Sequence, residues 1–218
     1  MFERVETGDG SITFYNQEFN QIYHSKSGAE EEAVKKFAVP CDVSGRAKKG
    51  HLKILDICFG IGYNTAAAFD AAMESNPSCS VEVVALENDR KILKMMKTVN
   101  ANFSSYRFLK GLSDTDEIKN EKTKIKLILK DARNSIKQLE KGFDIIFLDP
   151  FSPKACPELW TLEFFKDIRK VIAEDGVLAT FSCARVVRDN LLYAGFAVED
   201  IAPVGRRAPG TLARPITI

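Results

Sequence analysis

The feature that most constrains the fold is an apolar run that ends abruptly on an acidic residue. Five of the six residues in Phe143–Leu148 are apolar and most favour β-structure, which is typical of a strand buried on both faces. Asp149 and Pro150 follow directly, and a proline there predicts the end of the strand. Ligands of open α/β sheets bind beyond the carboxyl ends of the strands. We therefore expect Asp149-Pro150-Phe151 to hold a reacting group.

Strands and helices alternate on both sides of this run. This alternation predicts an α/β, Rossmann-like fold with a mostly parallel sheet and helices on both faces. The last two strands are expected to form a closing antiparallel pair. The predicted strands are seven (52–57, 81–86, 125–129, 143–148, 177–181, 196–201 and 211–218), and the predicted helices are 65–72, 89–99, 132–139, 158–173 and 185–194.

The N-terminal segment has a different pattern. Residues 2–14 predict a hairpin that turns at Gly8-Asp9-Gly10, and a short amphipathic helix should end near Pro40. We interpret 1–218 as one domain, with 1–50 as an N-terminal extension and 51–218 as the core. The pattern weakens over 100–124, which we interpret as an insertion or a lid-like connection.

Composition excludes several classes of protein. The chain has 218 residues, 45% of them hydrophobic, and a net charge of +1, which indicates a soluble domain without a global preference for nucleic acid. No apolar run is long enough for a bilayer and the N-terminus lacks a signal-peptide pattern, so we expect a cytoplasmic protein without membrane contact. Five scattered cysteines and two histidines predict neither disulfides nor a metal site. No feature of the sequence indicates an oligomeric state.

A glycine turn follows the first core strand. Gly60-x-Gly62 lies between a strand and a helix, where the backbone can approach a ligand closely, although a purely structural turn has the same pattern. The third glycine of a dinucleotide fingerprint is absent, because Asn64 and Thr65 follow. The next strand ends on Glu87, which can accept hydrogen bonds from both ribose hydroxyls. A ribose site without a pyrophosphate site predicts S-adenosylmethionine as the cofactor.

Other acids stand at or near strand ends. Asp131 and the N–H of Ala132 can meet an adenine edge, although Asp131 is equally suited to cap the following helix. Asp56 can also bind the cofactor, or it can be satisfied by backbone donors. With Glu87 and Asp149 these acids should face one crevice.

The Asp149-Pro150-Phe151 corner resembles the Asp/Asn-Pro-Pro-aromatic motif of methyltransferases that act on exocyclic amines. Such a reaction needs an acceptor that orients the amine and an aromatic face that favours developing positive charge. We assign these catalytic roles to Asp149, expected to be ionised and also to contact the cofactor, and to Phe151. The corner departs from the motif because it has one proline, and an acid that simply ends a strand is the alternative.

A longer, ordered set of motifs resembles one family. These motifs are F-L-D-P-F-S-P-K-x-x-P-E-L-W-T at 147–161, G-x-L-A-T-F-S at 176–182, V-R at 187–188, G-F at 195–196, F-x-x-I-Y-x-S-x-x-G-A-E-E at 19–31 and F-G-x-G-x-N at 59–64. Together they resemble the methyltransferase domain of the bacterial tRNA 5-methylaminomethyl-2-thiouridine biosynthesis protein. The resemblance implies a class I S-adenosylmethionine-dependent methyltransferase in a stand-alone form, without the family's flavin oxidase domain and hence without flavin.

The implied reaction is methylation of the 5-aminomethyl group of the wobble uridine, with the tRNA anticodon region as partner. By this resemblance Gly60, Gly62, Asn64, Glu87 and Asp131 would bind the cofactor. Residues expected at the uridine pocket or the tRNA are Pro150, Ser152, Lys154, Trp160, Arg185, Arg188, Arg206 and Arg207. Trp160 can equally be a core aromatic. Two other functions stay open: methyl or aminopropyl transfer to a small amine, and a noncatalytic adapter that binds nucleoside or RNA.

Overall fold

The computed structural model describes residues 2–205 and 207–216. Arg206, one of the arginines expected at the tRNA, lies outside these residues. The strands are β1 (Phe2–Glu6), β2 (Ile12–Asn16), β3 (Gln21–Ile22), β4 (His51–Ile57), β5 (Ser80–Glu87), β6 (Glu117–Lys119), β7 (Thr123–Leu129), β8 (Phe143–Leu148), β9 (Ile172–Thr180), β10 (Phe196–Ile201) and β11 (Gly210–Pro215). The helices are α1 (Ala29–Glu32), α2 (Val43–Ala47), α3 (Tyr63–Ser75), α4 (Arg90–Met95), α5 (Tyr106–Leu109), α6 (Ala132–Ser135), α7 (Leu162–Val171) and α8 (Arg185–Tyr193).

The core is a twisted sheet in the order β10-β11-β9-β8-β4-β5-β7-β6. Strands β9, β8, β4, β5 and β7 are parallel, whereas β10, β11 and β6 are antiparallel to their neighbours. The α/β, mostly parallel architecture is confirmed. The expected strand number is wrong, because the sheet has eight strands instead of seven.

The additional strand β6 lies in the segment that we interpreted as an insertion or a lid. This segment folds against the edge of the sheet, where β6 pairs with β7. Tyr106 is buried and its hydroxyl donates to the carbonyl of Ile61 at 2.9 Å. The segment is therefore a packed insertion and not a lid, and its apolar contacts are too irregularly spaced to give a sequence period.

The predicted helix 158–173 is too long. A 3₁₀ turn (Pro157–Trp160) precedes α7, which ends at Val171. Ile172 already pairs with Phe143, and the register then shifts so that Ile145 pairs with Val177. Asp175 and Gly176, which lie between the predicted helix and the predicted strand 177–181, thus belong to an irregularity inside β9. No helix in the described ranges is both long and apolar enough to cross a membrane.

The N-terminal extension forms its own small sheet. Strands β1 and β2 make the expected antiparallel hairpin, and β3 adds to β2. Helix α1 continues into a π-helical turn (Ala33–Ala38), whose Phe37 packs edge-on against Phe147 of β8 at 5.7 Å between ring centroids. This contact places the extension beside the carboxyl end of β8.

Candidate active site

In the loop after β4, every second residue from Cys58 to Gly62 has a left-handed backbone conformation. Cys58, Gly60 and Gly62 have φ of 66°, 58° and 80°. A Cβ on Gly62 would lie 2.5 Å from the ring of Phe59, so only glycine fits there. The left-handed conformation costs Cys58 roughly 1–2 kcal/mol. Cys58 lies two residues before Gly60, just as Gly60 lies two residues before Gly62. Its left-handed conformation was not predicted, because a cysteine gives no sign of a positive φ.

Glu87 closes this loop from the next strand. It is buried, and its Oε2 accepts a hydrogen bond from Gly60 N at 2.9 Å. Its Oε1 accepts from Asn88 N and Asp89 N at 2.8 and 3.0 Å. Burial raises the pKa of Glu87 even though these hydrogen bonds lower it. A carboxylate has about four acceptor positions, so one remains for a ligand hydroxyl.

A cavity of about 340 Å³ opens in front of this loop. We call it the strand-end cavity, and its volume lies within the range of small-molecule sites, about 300–1,000 Å³. Apolar, aromatic and acidic side chains share its walls. The lining residues are Asn16, Glu18, Phe19, Tyr23, Cys58, Glu87, Asn88, Asp89, Lys91, Asp149, Pro150, Phe151, Cys156, Glu158 and Leu159.

A side chamber of about 50 Å³ continues from this region to the end of β7. Asp131 and Ala132 line it together with Glu87 and Cys58. Asp131 also caps α6, accepting from Arg133 N at 2.8 Å, and the Arg133 guanidinium lowers the pKa of Asp131. Asp131 can therefore cap α6 and line the chamber at the same time.

Asp149 lies at the end of β8 as expected. Its Oδ2 accepts a hydrogen bond from Asn64 Nδ2 at 2.9 Å, which joins it to the start of α3. Burial raises the pKa of Asp149 well above its usual range, and the negative charge of Glu32 raises it further. The raised pKa is contrary to our expectation that Asp149 is ionised, and it favours a carboxyl group that can hold a proton.

The loop after Asp149 is clamped by the N-terminal extension. Phe151 stacks on Phe19 at 4.7 Å and meets Tyr23 edge-on at 4.9 Å between ring centroids. Gln21 Nε2 donates to Ser152 Oγ at 2.6 Å, and Ser152 N donates back to Gln21 Oε1 at 3.1 Å. Ser152 therefore has a partner inside the protein. Phe19, Gln21 and Tyr23 were not predicted as site residues, because their partners Phe151 and Ser152 lie more than 100 residues away in the chain.

Trp160 supports the same loop from behind. Its side chain is buried and its Nε1 donates to the carbonyl of Phe151 at 2.9 Å. The ring packs edge-on against Phe165 and Phe181. The structure thus places Trp160 in the core, the alternative to a role in lining the pocket, where it positions Phe151.

A second cavity of about 200 Å³ lies on the other side of the Asp149-Pro150-Phe151 corner. We call it the extension cavity, because half of its lining residues come from residues 21–25, which form β3 and the start of the segment that follows it. Tyr23 and the corner itself border both cavities. The lining residues are Gln21, Ile22, Tyr23, His24, Ser25, Glu32, Asp149, Pro150, Phe151 and Phe181.

Asp56, expected at the cofactor, borders neither cavity. Its Oδ2 accepts from Thr65 Oγ1 at 2.6 Å, while its buried Oδ1 has no hydrogen-bond partner among the described residues. Burial raises its pKa to about 7. Asp56 therefore anchors the first turn of α3 beneath the glycine loop.

The described basic residues expected at the tRNA, Lys154, Arg185, Arg188 and Arg207, do not line the cavities either. Arg188 binds Thr211 Oγ1 at 3.0 Å and Asp200 at 2.5 Å, and so ties α8 to the last two strands. Arg185, Arg207 and Lys154 are exposed. Arg185 lies 3.6 Å from Asp189. Within the described ranges no three His, Cys, Asp or Glu side chains form a metal-binding group.

Comparisons with known proteins agree with this geometry. A family model described as S-adenosyl-L-methionine-dependent methyltransferase matches residues 91–215. The crystal structure of MnmC2 from Aquifex aeolicus superposes with a TM-score of 0.86 and 34% identity, covering 100% of this chain and 72% of the other.

Two curated relatives extend the comparison. An uncharacterized protein of Methanocaldococcus jannaschii is 32% identical over 96% of this chain and 58% of its own length. The tRNA 5-methylaminomethyl-2-thiouridine biosynthesis bifunctional protein of Methylibium petroleiphilum is 30% identical over 90% of this chain, but only 32% of its own length. The chain spans about a third to three fifths of these relatives. It belongs to the family of S-adenosyl-L-methionine-dependent methyltransferases that contains the MnmC methyltransferase domain.

Proposed function

We propose that this protein methylates the 5-aminomethyl group of the wobble uridine in tRNA, giving 5-methylaminomethyluridine. The observation that carries the proposal is the shared wall: Asp149 and Phe151 border both cavities. A donor in one cavity and an acceptor in the other would thus meet at the same carboxylate. Similarity to the tRNA 5-methylaminomethyl-2-thiouridine biosynthesis protein of Methylibium petroleiphilum supports a tRNA amine as the acceptor.

The residues of the strand-end cavity fit S-adenosylmethionine. Gly60 and Gly62 do not line the cavity, but their left-handed conformations shape the loop that brings Cys58 into its wall and Gly60 N onto Glu87. Glu87 has one acceptor position left for a ribose hydroxyl, and Asp131-Ala132 border the chamber suited to adenine. Asn64 fixes Asp149 from the first turn of α3. When bound, the cofactor supplies a methyl group on a positively charged sulfur, which keeps the electron pair of the broken S–C bond.

Asp149 has two tasks in this reaction. It accepts a proton from the incoming ammonium, which frees the nitrogen lone pair that forms the new N–C bond, and its raised pKa makes it a stronger proton acceptor than an ordinary carboxylate. It then faces the secondary ammonium that results. Phe151 and Tyr23 present ring faces and edges, and an aromatic face stabilises a nearby cation by roughly 0.5–2 kcal/mol.

The partner proposed is the anticodon region of tRNA in the cytoplasm. The exposed side chains of Lys154, Arg185 and Arg207 suit phosphate contacts, which position a nucleic acid without reading its sequence. We propose one methyltransferase domain over 1–218 in which 1–50 completes the acceptor side. The proposal needs neither flavin nor metal, because the residues present supply acid–base and binding groups alone.

Replacement of Asp149 by Asn tests the assignment. The amide keeps the volume and can still pair with Asn64 but cannot take a proton, so turnover should fall about 10²–10⁴-fold while S-adenosylmethionine affinity changes about threefold at most. The assay is mass spectrometry of nucleosides from tRNA that carries 5-aminomethyl-2-thiouridine. Intact methylation by the variant would refute the role of Asp149.

The same assay separates the other functions. Transfer by the wild type to free amines but not to tRNA would favour a small-molecule enzyme. Absence of S-adenosylmethionine binding in calorimetry would favour a noncatalytic adapter.

A further inference from the structure

The extension cavity contains a second acidic residue that the reaction described above leaves unassigned. Glu32, at the end of α1, borders the cavity together with Asp149. Its Oε2 accepts a hydrogen bond from Ser25 N at 2.7 Å, and its Oε1 lies 3.0 Å from Lys36 Nζ. Only 12% of the Glu32 side chain is exposed. A carboxylate is thus held at the wall of a cavity that is small enough to bring two acids close together.

Lys36 is the unusual partner in this pair. Its side chain is completely buried, and it projects from the π-helical turn Ala33–Ala38. Single π-helical turns are rare and often occur at functional sites. A buried ammonium is unfavourable without an opposite charge, and a buried ion pair seldom adds net stability over apolar residues. Lys36 therefore has a clearer purpose if it orients Glu32.

The neighbouring pair on the same helix shows the contrast. Glu31 and Lys35 have the same four-residue spacing and a comparable separation of 2.6 Å, but their side chains are 34% and 59% exposed. Exposed pairs of this kind contribute about 0–1 kcal/mol and need no special explanation. Of the two pairs, only Glu32–Lys36 contains a residue that lines the extension cavity.

We propose that Glu32 is a second carboxylate of the acceptor site, which with Asp149 selects a primary amine, and that Lys36 is the residue that positions it. This inference rests on the proposed function. A primary amine whose lone pair faces the methyl group retains two N–H donors, and each needs an acceptor when buried. Asp149 accepts one hydrogen bond and Glu32 the other. A hydroxymethyl analogue offers only one donor and leaves one carboxylate without a partner.

Several charged groups surround Asp149 and determine how it titrates. Glu32 and Lys36 face it from the extension, Asp56 from β4 and Cys58 from the glycine loop. His24 and Tyr23 border the same cavity. Of these, the negative charge of Glu32 raises the pKa of Asp149 and the positive charge of Lys36 lowers it. The two members of the pair should therefore shift the pH profile in opposite directions.

The first experiment measures binding and does not depend on tRNA methylation. Calorimetry with S-adenosylhomocysteine present compares the nucleosides 5-aminomethyluridine and 5-hydroxymethyluridine. The wild type should prefer the amine, and Glu32→Gln should lose about 10–100-fold of that preference, the size of a hydrogen bond to a charged group. Glu31→Gln, the matched exposed control, should retain it. No preference in the wild type, or an unchanged preference in Glu32→Gln, overturns the inference.

The second experiment is the pH profile of kcat/KM with 5-aminomethyl tRNA. Glu32→Gln should move the acid limb to lower pH and Lys36→Met should move it to higher pH, which a purely structural pair would not do. If Lys36→Met does not fold, because it leaves Glu32 without its partner, the double variant Glu32→Gln/Lys36→Met takes its place. The double variant removes both charges and should preserve the fold. Single-variant shifts in the same direction, or a double variant with wild-type amine preference, would refute the inference. A wild type that prefers the amine but does not methylate tRNA would refute the proposed function alone.

Discussion

The two cavities share one wall but are built from different parts of the chain. The strand-end cavity lies where β4, β5 and β8 end, and its shape follows from the glycine loop and the parallel sheet. The extension cavity exists only because the segment between β3 and α1 folds over the Asp149-Pro150-Phe151 corner. Under the proposed function, the sheet would provide the donor site and the extension would determine the acceptor.

The acids of the two cavities are stabilised in different ways. Glu87 accepts three backbone N–H groups, which are fixed by the path of the loop. Glu32 depends on one backbone N–H and on the side chain of Lys36. Backbone donors belong to the fold, while a side-chain partner can be replaced separately. The chemistry of the acceptor side is therefore the easier of the two to change by substitution.

The largest effect that would test this contrast concerns His24 in the extension cavity. Burial lowers the pKa of His24 to about 4, although the charge of Glu32 opposes the shift. The unfolded chain therefore binds a proton between about pH 6.5 and pH 4 that the folded protein does not, and stability falls as the pH falls. The shift corresponds to about 3 kcal/mol over that window. Because Gln cannot ionise, the free energy of unfolding of His24→Gln should lack this decrease between about pH 6.5 and pH 4.

The measurement is the free energy of unfolding in urea at several pH values, expressed as variant minus wild type. The difference is needed because Asp56, with its pKa raised to about 7, contributes a dependence of opposite sign. Asp56→Asn is the matched control from beneath the glycine loop, and its difference should grow as the pH rises from about 4 to 7. Parallel pH curves for His24→Gln and the wild type would contradict the prediction.

The next effect concerns the strand-end cavity alone. Glu87→Gln replaces one carboxylate oxygen by an amide nitrogen, which cannot accept from Gly60 N in one orientation or from Asn88 N and Asp89 N in the other. Loss of a charged hydrogen bond costs about 2 kcal/mol, so S-adenosylmethionine should bind about 10–100-fold more weakly. Calorimetry measures this affinity, and the KM for acceptor tRNA should stay unchanged. A rise in acceptor KM with unaltered cofactor affinity would show that the two cavities are not separate in function.

The smallest effect concerns the clamp between the extension and the corner. Gln21→Ala removes both hydrogen bonds to Ser152, a loss of about 1 kcal/mol, so the acceptor KM should rise about fivefold. Cofactor affinity should not change, because Gln21 borders only the extension cavity. Gln17→Ala, which removes an exposed hydrogen bond to Glu3, is the control in steady-state kinetics. Equal effects of the two substitutions would contradict a specific clamp.

Local sequence patterns were sufficient to predict the elements that surround the strand-end cavity. The apolar run of β8, the glycine turn and Glu87 were predictable because a buried parallel strand, a left-handed turn and a strand-end acid each leave a signal within a few residues. The last core strands were predicted for the same reason. The helix 158–173 was too long because the strand pairing at Ile172, which ends it, is a contact with a distant segment.

The sequence alone determined the alternation of the parallel core strands with helices and the position of Asp149 after β8, because these follow from local periodicity and chain direction. Only the tertiary structure decided that Glu32, Lys36 and Gln21 meet the corner, that Trp160 supports it from the core, and that Arg188 ties α8 to the closing strands. Glu32 and Gln21 lie more than 100 residues from the corner, whereas Arg188 bonds Thr211 across 23 residues and Trp160 bonds Phe151 across nine. The energies of these contacts come from burial and paired charges, which no local pattern of residues encodes.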